Sequence, residues 1–161
     1  MIHEAKTVID YQDPANQQDN LSLGTYHTYW SYNPDDSVRQ MVYPNGETVN
    51  FAYHAQGALS RISSIQDETE QTRDYLTSAG YDAAGRTLSR MMGSGIAQAY
   101  TYYPWTQQGG RLQAMTAQKS GEDSYQDLAY SYDQVGNILQ INDAVANETL
   151  VFTYDDLNRL D

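Results

Sequence analysis

Apolar and polar residues alternate one by one along much of this chain. Val49, Phe51 and Tyr53 flank Asn50 and Ala52. Leu128, Tyr130 and Tyr132 flank Ala129 and Ser131, and Leu150, Phe152 and Tyr154 repeat the pattern. A period of two predicts β-strands with one face turned toward packing. Six such runs end in a tyrosine that is followed by turn residues. In five of them a second aromatic stands two residues earlier: Trp30-Ser31-Tyr32, Phe51-Ala52-Tyr53, Tyr100-Thr101-Tyr102, Tyr130-Ser131-Tyr132 and Phe152-Thr153-Tyr154. The sixth, Ala79-Gly80-Tyr81, keeps only the tyrosine. Residues two apart share a face, so each aromatic pair should project from one side of its strand. Successive tyrosines are 21, 28, 21, 30 and 22 residues apart, short and long in turn. Such recurrence marks an internal repeat of hairpins.

Turn chemistry follows each tyrosine. Tyr53-His54-Ala55-Gln56-Gly57, Tyr81-Asp82-Ala83-Ala84-Gly85-Arg86 and Tyr132-Asp133-Gln134-Val135-Gly136-Asn137 place glycine four residues on. Tyr154-Asp155-Asp156-Leu157-Asn158-Arg159 has asparagine there. Glycine and asparagine tolerate positive φ. Asp or His after the tyrosine can bond the backbone two residues on and start the turn. Tyr32-Asn33-Pro34-Asp35-Asp36 carries Asp36 at the glycine position. The copy after Tyr102 is stretched by Pro104 to Gly110 before Arg111-Leu112 resumes. A second turn type is expected at Pro44-Asn45-Gly46, because Asn-Gly between alternating runs is a strong hairpin signal.

These motifs resemble the YD repeats of Rhs proteins. That family includes bacterial polymorphic toxins, the B and C components of insecticidal toxin complexes, and animal teneurins. The resemblance covers roughly Tyr26 to Leu160. It rests on Tyr32, Tyr53, Gly57, Tyr81, Asp82, Gly85, Arg86, Tyr102, Tyr132, Asp133, Gly136, Tyr154, Asp155 and Asn158. It implies a long antiparallel sheet that spirals into a hollow shell around a toxic passenger. Asn33, His54 and Tyr103 replace the signature aspartate in three copies.

Composition narrows the picture. The chain has 161 residues, one domain's worth, with fifteen tyrosines but only two phenylalanines. Tyrosine offers a ring to bury and a hydroxyl to leave wet. The net charge of −12 argues against nucleic acid, whose phosphates need cationic partners. The acidic residues are spread over turns and linkers, which favours a solubility role. No apolar run of about 20 residues is present to span a membrane, and no signal peptide is visible in Met1 to Asn20. Cysteine is absent, so disulfides and thiolate metal sites are excluded.

Catalytic groups are sparse. His3, His27 and His54 are scattered, without zinc-ligand spacing. Gly93-Ser94-Gly95 and Gly109-Gly110 lack the Gly-Lys-Ser/Thr of a phosphate loop and read as turn glycines. Asp35-Asp36, Glu122-Asp123 and Asp155-Asp156 are adjacent pairs. Adjacency does not supply the about 5–10 Å separation that glycoside hydrolysis requires. EF-hand spacing is missing as well. Some Rhs proteins cut themselves at an Asp-Pro-containing core motif. The Asp-Pro here is Asp13-Pro14, near the wrong end, so that activity is not carried over.

The expected fold is therefore all-β: antiparallel hairpin repeats forming a twisted, spiralling sheet. Residues 1–25 are expected as a polar lead-in and 26–161 as the YD-repeat region. The final turn lacks room for a return strand, so the chain reads as a piece of a longer protein. Its open edges should pair with another copy, or Asp156 to Asp161 should fray. The aromatics should form a structural ladder, since a binding site needs one platform and a repeat needs all of them. Truncating Phe51 should then cost about 3 kcal/mol, as for a buried ring. The expected function is a structural segment of a Rhs-type shell, without enzymatic activity, cofactor or metal. Its partners would be neighbouring YD repeats and an encapsulated toxin domain. It would act secreted or at the cell surface, as part of a larger bacterial protein. The rival reading is a carbohydrate- or cell-surface-binding β module, with Trp105 as the aromatic best placed to contact a ligand.

Overall fold

The computed structural model describes residues 3–8, 26–65 and 72–161. The chain divides into two compact units, residues 1–75 and 76–161. The first contains β1 (His3–Val8), β2 (Tyr26–Tyr32), β3 (Val38–Val42), β4 (Thr48–Tyr53), β5 (Leu59–Ile65) and the start of β6 (Thr72–Tyr81). The second contains the rest of β6, then β7 (Thr87–Met92), β8 (Ile96–Tyr102), a single helical turn α1 (Trp105–Gln108), β9 (Leu112–Lys119), β10 (Gln126–Tyr132), β11 (Ile138–Asp143) and β12 (Glu148–Val151). Within each unit the strands pair antiparallel with their neighbours in sequence. The lead-in before Tyr26 contributes a strand of its own: β1 pairs with β2 over all six of its residues.

Register confirms the shared parity of the aromatics. In the first unit Trp30, Met41, Val49 and Ser64 stand opposite one another in a row, and Phe51 faces Ile62 beside them. The opposite face carries the row Ser31, Gln40, Asn50 and Ser63, where the Gln40 amide donates to Asn50 Oδ1 at 3.1 Å. In the second unit Tyr100, Met115 and Leu128 align, as do Tyr130, Ile141 and Leu150. Their reverse side is small and polar: Thr101, Ala114, Ala129, Asn142 and Thr149 form one row.

Five of the six YD hairpins carry a bulge at the same place. Tyr32, Tyr53, Tyr81, Tyr102 and Tyr132 pair with Val38, Leu59, Thr87, Leu112 and Ile138, and in each case the register shifts immediately before the tyrosine. One extra residue is inserted on the strand after the turn. Such bulges bend a strand and increase its twist. The tyrosine of one hairpin then reaches back to the bulge of another. Tyr53 donates its hydroxyl to the Val38 carbonyl at 2.8 Å, Tyr102 to Thr87 at 2.8 Å, Tyr132 to Leu112 at 2.8 Å and Tyr154 to Ile138 at 3.0 Å. The acceptor is each time the residue that pairs with an earlier signature tyrosine.

Little is buried. Val49, Leu76, Ala79 and Ala117 are the buried apolar residues among those described, and most strand residues are only half-covered. Phe51 is one of the half-covered group. Among the described residues Phe51 keeps part of its surface in water, so the cost of a fully buried ring is too high for it. Phe51→Ala should cost about 1–2 kcal/mol in urea denaturation, below the usual range of about 3–5 for a core phenylalanine. A loss within that core range would mean that Phe51 is fully enclosed rather than half-covered.

Candidate functional site

The turns at one end of the hairpins hold the densest polar chemistry. The simplest share one backbone form. The first residue's N–H donates to the carbonyl four on, and the N–H three on donates back to the first carbonyl. This holds at His54 and Ala58 (2.8 Å, with 2.9 Å from Gly57), at Asp82 and Arg86 (2.9 and 3.0 Å), and at Asp155 and Arg159 (3.0 and 2.9 Å). It also holds at Asn33 and Ser37. The fourth residue is left-handed: Asp36 at φ 62°, Gly57 at 83°, Gly85 at 79° and Asn158 at 59°. Pro44-Asn45-Gly46, expected as a second turn type, is the same turn. Tyr43 N–H reaches the Glu47 carbonyl at 2.8 Å, and Gly46 alone of the three has positive φ, 85°. A two-residue Asn-Gly loop of the I′ type would need both residues there.

The signature aspartates cap these turns from within. Asp82 Oδ1 accepts the Ala84 and Arg86 amides, both at 2.9 Å, and Oδ2 accepts Arg86 Nε at 2.6 Å. Asp133 Oδ1 accepts Val135, Gly136 and Asn137 at 3.0, 2.6 and 2.8 Å, and Oδ2 accepts Asn137 Nδ2 at 2.9 Å. Asp155 repeats the Asp82 pattern with Leu157 and Arg159. The residue after the left-handed position thus closes its own turn through one donor. In the second unit it also reaches the next turn. Arg86 Nη1 donates to the Gly110 carbonyl at 2.6 Å, Arg111 Nη2 to Val135 at 3.2 Å, and Asn137 Nδ2 to Asn158 Oδ1 at 2.9 Å. Rings flank the cations: Arg86 lies 4.3 Å from the Tyr102 centroid and 4.7 Å from that of Trp105, and Arg111 lies 5.8 Å from that of Tyr132.

Trp105 therefore has a partner inside the chain. It opens α1, whose C-cap Gly109 is left-handed at φ 58°, and its ring rests on Arg86 while staying 63% exposed. A Cβ on Gly110 would stand 2.7 Å from Arg86 Nη1 and 2.8 Å from the Trp105 ring, so packing as well as its φ of 72° requires glycine there. Tyr81 stands at its bulge opposite Thr87. The last turn does not fray: Tyr154 bridges Leu160, and Asp161 N–H donates to the Thr153 carbonyl at 2.9 Å.

Other candidates take local roles. His27 stacks on Tyr29 at 6.1 Å, and the His54 amide starts its turn. Asp35 accepts the Ser37 amide and hydroxyl, while Glu122 pairs with Lys119 at 2.8 Å and accepts the Tyr125 hydroxyl. Among the described residues no His, Asp and Glu cluster is arranged to hold a metal ion, and no helix is long and apolar enough to cross a membrane. Asp13-Pro14 and the His3 side chain lie outside the described residues. The reach from one turn to the next was missed in the sequence. Its signal was the Arg or Asn that follows the left-handed residue in four of the copies, Arg86, Arg111, Asn137 and Arg159.

No family model matches the chain. It is 32% identical to toxin subunit YenC1 of Yersinia entomophaga over 168 aligned residues, covering 91% of this chain and 16% of YenC1. With toxin subunit YenC2 of the same organism it shares 42% identity, covering 89% of the chain and 15% of YenC2. The chain thus spans about a sixth of the relatives it matches. Its fold matches the crystal structure of TcdB2-TccC3-Cdc42 with a TM-score of 0.79 at 22% identity, covering 99% of this chain and 8% of the other. TcdB2-TccC3 without its hypervariable C-terminal region matches with a TM-score of 0.77 at 25% identity, over 98% of this chain and 8% of the other.

The turn geometry separates glycines that look alike in sequence. A Cβ at Gly57 meets nothing within 4 Å, whereas at Gly136 it would overlap the Arg111 guanidinium. Gly136→Ala should therefore lower the melting temperature more than Gly57→Ala, since only the first adds a clash to the shared φ strain. Equal losses would mean that Arg111 does not seat on that turn. Acid should open the turns. Asp82 and Asp133 lie below the usual carboxylate range: partial burial pushes them up, and hydrogen bonds from the Arg86 and Asn137 amides and their neighbours outweigh it. Asp155 is lowered by the Arg159 amide and then its side chain. A depressed folded-state value stabilises above the unfolded value of about 3.9, and that gain is lost as pH falls through the folded value. Melting temperatures should drop below about pH 4, and the drop should be shallower in Asp82→Asn. An identical acid limb in the variant would remove the turn carboxylates as its cause.

Proposed function

We propose, from the premise that this chain is a YD-repeat segment of the Rhs type, that it is a structural wall element of a toxin-complex shell enclosing a toxic passenger. The carrying observation is the bulge recurring at five YD hairpins, with tyrosine hydroxyls fastened back to four of those bulges. Repeated bulging curves a sheet in one sense, which is what an enclosing wall needs. Little buried apolar surface among the described residues suits a wall better than a compact binding domain. The similarity to toxin subunits YenC1 and YenC2 supports the toxin setting.

In this reading the segment works without catalysis, and the turn carboxylates are spent on turn amides. Its partners are further YD hairpins, which pair with open strand edges such as β12, and the enclosed passenger. Among the described strands β12 pairs with β11, and Val151 on it is 71% exposed. The segment acts outside the producing cell, as part of the larger secreted assembly.

A graft tests the proposal. This chain is put in place of its matching segment in YenC1, with a protease-sensitive reporter as the C-terminal passenger. The hybrid should shield the reporter from trypsin as well as the parent shell does. A soluble, folded hybrid whose reporter is digested as fast as free reporter would overturn the wall role.

A further inference from the structure

Asn45-Gly46 takes no part in the tyrosine bonds or in the contacts between turns, yet it carries chemistry of its own. Of the nine asparagines in the chain it is the one followed by glycine. A glycine nitrogen, with no side chain beside it, can attack the amide carbon of the preceding asparagine and close a cyclic imide. Asn45 is exposed, so water reaches it. The folded turn keeps both reacting groups occupied. Gly46 N–H donates to the Tyr43 carbonyl at 2.9 Å, and Asn45 Oδ1 accepts the Glu47 amide at 3.1 Å. With positive φ at Gly46 alone, Pro44 and Asn45 are the central residues of a type I turn. The second central residue of such a turn has ψ of about 0°. Ring closure needs that torsion rotated, so that the nitrogen lies over the side-chain carbon, and it needs both hydrogen bonds released.

We infer that Asn45 is a self-modification site, silent in the folded hairpin, that converts to isoaspartate while the chain is unfolded and then weakens the hairpin that re-forms. The Gly46 nitrogen bonds to Asn45 Cγ, the Cγ–Nδ2 bond breaks, and ammonia leaves with the Gly46 proton. Water then opens the imide, and no oxidant or reductant takes part. Opening at the side-chain carbon gives aspartate. Opening at the main-chain carbonyl gives isoaspartate, whose main chain runs through the former side chain and is one methylene longer. The two products differ in fate. Aspartate fits, as Asp35 shows: it follows Pro34 as Asn45 follows Pro44, and its Oδ1 accepts the Ser37 amide at 3.1 Å. Isoaspartate does not fit. Gln40, Met41 and Val42 pair with Asn50, Val49 and Thr48 without a register shift, and Tyr43 N–H continues that ladder to the Glu47 carbonyl at 2.8 Å. The longer main chain finds no bulge there to absorb it. Modified chains thus carry a record of time spent unfolded.

The full chain is incubated at mildly alkaline pH, folded in buffer or unfolded in guanidinium chloride. A synthetic peptide spanning residues 42–49 in both solvents corrects for the solvent itself. Peptide mass spectrometry reads loss of the Asn45 amide, and isoaspartyl methyl transfer reads the product. Asn45 should react about tenfold faster in the unfolded chain than in the folded one, because the folded turn must first open locally. It should also react ahead of the other asparagines. After dilution from denaturant the isoaspartate fraction should melt below the parent, while Asn45→Asp melts with the parent. Equal corrected rates would overturn the silence of the folded turn, and an unfolded chain without isoaspartate at this position would overturn the site. Isoaspartate chains that melt with the parent would overturn the weakening. An Asn45→Asp chain that melts as early as they do would assign the loss to charge and overturn the role of the longer main chain.

Discussion

The interaction on which the rest depends is a tyrosine hydroxyl bonded to a bulge carbonyl of an earlier hairpin. A bulge disrupts the ladder locally and leaves backbone groups in need of partners. In this chain the next hairpin supplies the partner. Tyr53, Tyr102, Tyr132 and Tyr154 do so at 2.8–3.0 Å. Burial raises the hydroxyl pKa of Tyr53, Tyr102 and Tyr132, as expected for a phenol half-withdrawn from water. This explains why the repeat uses tyrosine where phenylalanine would offer the same ring. The ring covers its neighbours, and the hydroxyl satisfies the carbonyl that curvature exposes.

The turns apply the same economy at their own end of the strands. An aspartate satisfies the turn amides, a left-handed glycine or asparagine completes the reversal, and the following Arg or Asn ties the turn to its successor. The first unit carries other residues at that last position. Ser37 and Ala58 follow Asp36 and Gly57, and Ser37 bonds only within its own turn, to Asn33 and Asp35. In the second unit Arg86, Arg111 and Asn137 occupy the position and make the turn-to-turn contacts. Each such bond contributes only about 0.5–1.5 kcal/mol net, more where a guanidinium is the donor. Their value comes from repetition in a sheet with little core.

Much of this was legible in the residues. Parity alone put Phe51 with Tyr53, and Tyr130 with Tyr132, on shared faces, because the strand period is a strict two. The left-handed conformation of Asn158 followed from its alignment with Gly57, Gly85 and Gly136. Other features were hidden for physical reasons. A bulge adds one residue after the turn without changing composition, so Leu59 and Ile138 gave no sign of it. Asn45-Gly46 suggested a distinct turn because local propensity does not count the residues that the flanking strands leave unpaired. Trp105 looked like a loose loop aromatic because its partner, Arg86, is 19 positions away in sequence. The strand at His3–Val8 was masked by its polar composition, and its pairing with β2 carries the signal that composition lacked.

The central claim is that hydroxyl-to-bulge bonds, rather than a core, hold the hairpins together. The direct measurement is urea unfolding of Tyr102→Phe/Tyr132→Phe/Tyr154→Phe, set against Tyr29→Phe/Tyr43→Phe, whose rings are exposed. Three lost bonds should cost roughly 2–4 kcal/mol together, a large part of the about 5–15 kcal/mol that holds a typical domain. The triple variant's midpoint should fall sharply while the control stays with the parent. A triple variant that unfolds at the parent's midpoint would contradict the account, because the rings alone would then suffice.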